Sequence, residues 1–222
     1  MKKFLLLLCF ALISSFAFGQ YHNSGQSPFS FSIVGGASIA YFQVKSTATS
    51  VISNDPEGVG CLGASFGYKF NDYFSISPAL LLSGKGGQTE GLYGSYNEDI
   101  ASKYELYYLE GSLSFIGHIP VDTRANIFFG GGPFYANGLF GRNKNVDYDY
   151  WDGKSVHFGK SGEFKSNDYG VASLIGFESE SGYTFSISFD LGLTNIHQFN
   201  PSSPDNDQLK TRSFYFGIGH SF

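Results

Sequence analysis

Residues 183–193, YTFSISFDLGL, alternate without a break. Tyr183, Phe185, Ile187, Phe189, Leu191 and Leu193 are apolar, and Thr184, Ser186, Ser188, Asp190 and Gly192 between them are small or polar. Alternation with period two marks a strand whose two faces meet different surroundings. In a soluble sandwich the large residues turn into a core. In a membrane barrel they turn out into lipid, and the small polar ones fill the interior. The rest of the chain decides between these.

Seven further runs read as strands: Phe29 to Tyr41, Cys61 to Phe70, Tyr73 to Ser83, Tyr104 to Gly117, Ala125 to Leu139, Tyr169 to Phe177 and Ser213 to Phe222. The facing of the fifth is ambiguous, because Gly130-Gly131-Gly132-Pro133 interrupts it. Links at Asn71-Asp72, at His118 to Arg124 and at Glu178 to Gly182 are short. The links after the first, third, fifth and seventh strands are long and polar. Strict short–long alternation is the habit of an up-and-down outer-membrane barrel, with tight turns on one side and long loops on the other. Strands of about ten residues suffice to cross the hydrocarbon layer at a tilt. Asp152-Gly153 is a type I′ turn signal, which predicts that the fifth and sixth strands continue above the membrane as a hairpin. The final residue, Phe222, closes an alternating strand, as outer-membrane barrels commonly do.

The N-terminus agrees with export. Lys2 and Lys3 precede an apolar run, Phe4 to Ile13, and small residues lead to Gly19. Residues 1–19 read as a cleaved secretory signal, with the barrel domain over 20–222. Cleavage lowers the basic count from 14 to 12 against 19 acidic residues, and the formal charge falls from −5 to −7. That balance argues against a nucleic-acid partner. Cys9 goes with the signal, so Cys61 remains alone, without an intrachain disulfide.

Four stretches resemble the PorT-like outer-membrane β-barrel family, an outer membrane protein beta-barrel domain of Gram-negative bacteria. They are SISPALLLSGKGG (Ser75 to Gly87), YYLEGSLSF (Tyr107 to Phe115), FFGGGPFY (Phe128 to Tyr135) and DYGVASLIGFESESGYTFSISFDLGLTNI (Asp168 to Ile196). One departure is that Gly111 and Ser112 stand where the family usually has an apolar residue and then proline. The resemblance implies an integral outer-membrane barrel. It implies no single activity, since some members are tied to secretion or gliding.

Few residues carry chemistry. The alternation turns Glu110 and Asp190 into the lumen, with Lys69 a further candidate. They read either as a proton-handling pair or as a structural network of ion pairs filling a narrow barrel, where aromatic and glycine residues sit side by side. An eight-stranded barrel is just wide enough for side chains to fill it, which weighs against a wide pore. His22, His118, His157, His197 and His220 show no metal-ligand spacing. His197 and Asp205 could meet a serine in a lipid-modifying triad, but nothing singles them out. Asp147, Asp149 and Asp152 are oxygen-rich without the calcium-loop pattern. GKGGQTEG (Gly84 to Gly91) reads as an outside loop. No catalytic, cofactor-binding or metal residue is assigned, and no cofactor is expected.

The expectation is an all-β, antiparallel up-and-down transmembrane barrel of about eight strands in the outer membrane, with both termini periplasmic. Outer-membrane lipid and envelope proteins are its expected partners. Its expected role is non-enzymatic, as an accessory or anchoring component of a surface or secretion system. Two alternatives stay open: a small-ligand binding or transport barrel, including a soluble lipocalin-like one, and a lipid A-modifying enzyme.

Overall fold

The computed structural model describes residues 27–45, 55–90, 101–122, 125–145, 154–159, 162–198 and 208–222. The signal segment, His22, Asp205 and the Asp147–Asp152 run lie outside them. The strands are β1 (Phe29–Lys45), β2 (Glu57–Asn71), β3 (Phe74–Glu90), β4 (Ala101–Asp122), β5 (Ala125–Asn145), β6 (Lys154–Val156), β7 (Asn167–Ser179), β8 (Tyr183–Gly192) and β9 (Gln208–Ser221). All but β6 form one antiparallel ring. Sequence neighbours pair throughout, β7 follows β5, and β9 closes on β1. At the seam Phe222 N–H donates to Phe31 O at 2.8 Å. A closed ring leaves no strand edge unpaired, which lipid demands. No helix among the described residues is long and apolar enough to cross a membrane; strands make the crossing.

The alternating faces resolve as follows. Ile187 is 48% exposed on the outside, and Asp190 is 3% exposed on the inside. Phe29, Phe31, Ile33 and Ile39 of β1, and Phe214, Phe216 and Ile218 of β9, also face outward. A core-inward, lipocalin-like arrangement is therefore excluded. From Phe29 to Ile39 the strand advances about 33 Å at ~3.3 Å per residue. A tilt of about 40° reduces this to roughly 25 Å, the height of an outer-membrane apolar band.

The ambiguous fifth strand faces Phe128 and Phe134 inward and Phe129 and Tyr135 outward. Each inward ring lies opposite a glycine of β7: Phe128 pairs with Gly176 and Phe134 with Gly170. A Cβ on Gly176 would come within 2.3 Å of the Phe128 ring. The glycine makes the room that the ring occupies, so a barrel this narrow can hold aromatics inside.

Two readings of the sequence need correcting. Gly84 to Glu90 are not loop but the upper end of β3, paired with β4 from Gly84↔Tyr107 to Glu90↔Ala101. There Gly87 takes φ +151°, and a Cβ would sit 2.8 Å from Phe42 N. His118 to Asp122 likewise belong to β4. The short strand Lys154–Val156 does pair back on β5, from Gly141↔Val156 to Asn143↔Lys154, but this is not the register of a two-residue turn at Asp152-Gly153, and those two residues lie outside the described ones. Beyond Val156, however, the chain does not enter β7 directly. It folds over the barrel mouth, where Phe158 bridges Phe164 and Phe164 bridges His197.

Candidate functional site: a buried ion cluster between two halves of the lumen

The interior has two halves of opposite character. At the long-link end it is an apolar core. Phe42, Tyr104, Leu106, Tyr108, Phe164, Ile196 and Leu209 are all at most 1% exposed. The Phe164 ring stacks on Phe42 at 6.1 Å and meets Tyr104 edge-on at 5.1 Å, while Phe158 meets Tyr108 at 5.4 Å. These rings plug the mouth.

At the short-link end the lumen is a cavity of about 220 Å³. Its walls are rich in hydroxyls, among them Ser65, Ser77, Ser112, Ser186 and Ser188. The lining runs from Glu110 and Asp190 at mid-barrel to Ser30, Lys69, Glu178 and Ser221 near the strand ends. His118 hydrogen-bonds Ser75 Oγ through Nε2 at 2.8 Å on this wall.

Between the halves lies an ion cluster. Lys85 Nζ is 2.9 Å from Glu110 Oε2, 3.6 Å from Asp168 Oδ2 and 3.7 Å from Asp190 Oδ2. Lys85 and Asp168 are fully buried. Ser83 Oγ donates to Glu110 at 3.1 Å, and Thr211 Oγ1 to Asp168 at 2.6 Å. The ammonium lies 4.0 Å from the Phe134 ring centroid, a cation–π contact that ties the cluster to the apolar half. Isolated charges in such a place would be prohibitive; reciprocal pairing makes them tolerable.

Of the residues expected in the lumen, Glu110 and Asp190 meet in this cluster. Lys69 faces the lumen too, but lines the cavity far from it. The cation and the third carboxylate, Lys85 and Asp168, were missed. Both were legible in principle. Lys85 continues the inward parity of Ser75, Ser77, Ala79, Leu81 and Ser83, and Asp168 continues that of Gly170, Ala172 and Leu174. The histidines do not converge: His118 is in the lumen wall, His197 bridges the plug, and His220 stacks outside between Tyr183 and Phe222. Among the described residues no group of three or more His, Cys, Asp or Glu is arranged to hold a metal.

No curated protein matches the chain by sequence. Similar solved structures include the outer membrane protein OprG from Pseudomonas aeruginosa, 16% identical, covering 89% of this chain and 98% of that one, with a TM-score of 0.48. Ail, the attachment invasion locus protein of Yersinia pestis, is 13% identical over 89% of this chain and 100% of that one, at 0.41. The outer membrane protease OmpT from Escherichia coli is 10% identical over 91% and 99%, at 0.43. None of these likenesses bears on the chain's role. The model of the outer membrane protein beta-barrel domain matches residues 18–198, a span that takes in the ion cluster and most of the ring. The chain belongs to that family, and it is an outer-membrane β-barrel.

Proposed function

We propose that this protein is a non-conducting, non-enzymatic barrel that serves as an anchoring or accessory component of a surface or secretion assembly, of the PorT-like kind. The observation behind this reading is the two-layered seal. The apolar plug around Phe164 closes one half of the lumen, and the Lys85 cluster crosses its middle. A sealed interior leaves the outer wall and the long links as the working surfaces. In this reading residues 1–19 are removed on export, the short links and both termini lie in the periplasm, and the long links face outside.

The test is crosslinking and pull-down from intact outer membranes. A defined envelope partner recovered in stoichiometric amount supports the reading. Recovery of the barrel alone, together with steady conductance of the purified protein in planar bilayers, defeats it. A second reading, small-ligand binding, is favoured by the hydroxyl-lined cavity.

A further inference from the structure

We propose that a notch in the outer wall, where β1 and β9 rise past the end of β2, binds the phosphorylated, acylated glycolipid of the outer leaflet, its phosphate held by Arg212 and Lys210. The proposal rests on the topology given above, with the long links outside.

The notch follows from unequal strand lengths. The pairing of β2 on β1 ends at Ala40↔Glu57, but β1 runs on to Lys45. Tyr41 to Lys45 keep β9 as a ladder partner and have no β2 beside them. Gly87 of β3 packs against Phe42 instead. The wall is left with a cavity of about 640 Å³, lined by Ile39, Tyr41, Gln43, Pro56, Arg212 and Phe214. Its lower part is apolar, since Ile39 and Phe214 belong to the outward band. Arg212 registers with Tyr41, the next outward position above Ile39, and Lys210 registers with Gln43 one step higher. The cations therefore stand at the upper edge of the band, where acyl chains give way to head groups.

The charge there is uncompensated. Leu191 and Tyr41 flank Arg212 in the sheet. Among the described residues Lys85 and Lys103 hold carboxylates, and neither Arg212 nor Lys210 does. Glu57, beside Pro56, is taken by Lys103 at 3.1 Å. Asp168, on the lumen side of the same wall, is held by Lys85 and Thr211. Elsewhere on the rim Arg142 registers with Glu105, so its charge has a neighbour of opposite sign.

Arg212 is also held in place. Nη1 donates to Gly192 O at 2.6 Å and to Thr211 O at 2.8 Å, and Nη2 donates to Gln43 Oε1. A guanidinium has five N–H donors, so the Nε hydrogen and one Nη2 hydrogen remain. A fixed, planar cation with donors to spare suits a phosphate, and Lys210 adds a point charge beside it. A soluble anion would have no use for the apolar floor of Ile39 and Phe214. A lipid whose phosphate lies directly above its acyl chains uses both parts.

The experiment is native mass spectrometry of the refolded full-length barrel in a neutral detergent. Low-micromolar bisphosphoryl lipid A should give a retained adduct. Dephosphorylated lipid A and phosphatidylglycerol should each bind at least about tenfold more weakly, as for the loss of a charge-assisted bond. Millimolar inorganic phosphate should not displace the adduct. Arg212→Gln should weaken binding by about tenfold and Lys210→Gln by about threefold, while Arg142→Gln leaves it unchanged. Should Arg212→Gln not fold, as read by heat-modifiability on gels, Lys210→Gln decides, because its side chain holds nothing among the described residues. Equal binding of the dephosphorylated lipid or of phosphatidylglycerol, displacement by inorganic phosphate, or an equal loss in Arg142→Gln overturns the site. Binding in detergent does not depend on orientation. Labelling of cysteines at Asp72 and not at Asp55 on whole cells would instead overturn the topology, and with it the choice of leaflet.

Discussion

Lys85 Nζ and Glu110 Oε2 meet at 2.9 Å across the β3–β4 pair, at the level where the lumen changes from apolar to polar. The contact is diagonal: Leu81 is the registered partner of Glu110, and Lys85 reaches it from four residues further up the strand. Removing the ammonium leaves three carboxylates facing one another. Lys85→Met should therefore cost about 3–5 kcal/mol, the range for stripping one partner from a buried pair. Adding Glu110→Gln and Asp190→Asn should recover part of that loss, because neutral amides tolerate the same space. Urea unfolding in lipid vesicles measures all three. Equal stability of Lys85→Met and the native protein would show that the cluster is not a structural brace.

The plug gives a second prediction. Phe164 is 1% exposed and contacts Phe42, Tyr104 and Phe158. Phe164→Ala should lower stability by about 3–5 kcal/mol, as for other buried rings. A ring that merely rests in a loop would cost far less than this in the same unfolding measurement.

Gly138 tests how the plug is seated. The three atoms nearest to a Cβ there all belong to the Phe158 ring, the first at 2.5 Å. Gly138→Ala should displace Phe158 and destabilise the barrel by about 1–3 kcal/mol, the cost of overpacking. Phe158→Leu in the same chain should return most of it. A double variant as unstable as Gly138→Ala alone would show that the glycine serves the backbone and not the ring.

Much of this architecture could be read from alternation, because in a barrel each strand carries its own two-sided label. Phe29 to Tyr41 and Tyr183 to Leu193 declare their outer faces residue by residue. Link lengths then order the strands, since short turns permit only neighbours to pair. The buried cluster was half legible. Glu110 and Asp190 stand in runs of clear parity, whereas Lys85 follows Gly84 and precedes two glycines. Glycine in such a run signals flexibility unless a partner strand is known, and β4 supplies that partner. The inward fold of Phe158 and Phe164 was not legible. It rests on contacts with Phe42 and Tyr104, more than fifty residues away in sequence, and no local period encodes them.

Orientation in the membrane is tested by single cysteines in a Cys61→Ser background. A cysteine at Asp55, before β2, should react with an impermeant reagent on whole cells, and one at Asp72, between β2 and β3, should not. The reverse pattern would turn the barrel over and place the apolar plug around Phe164 on the periplasmic side.

Ile187 and Ser188 are adjacent on β8 and point to opposite solvents. Ile187 is half exposed on the outer wall, and Ser188 lines the cavity. Ile187 pairs with Ile175 on one side and Phe216 on the other, so an apolar band continues across three strands. Near the bilayer midplane, arginine on the lipid face costs about 2–4 kcal/mol, and lumen positions are more permissive. Ile187→Arg should therefore impair folding in vesicles by about that amount and more than Ser188→Arg, which can extend toward cavity water and Glu110. Because arginine also adds bulk, the smaller pair Ile187→Asn and Ser188→Asn should show the same order. If both Ser188 variants prove far worse than their Ile187 counterparts in reversible denaturant unfolding, the outer wall is not a lipid surface, and the membrane reading of this barrel falls with it.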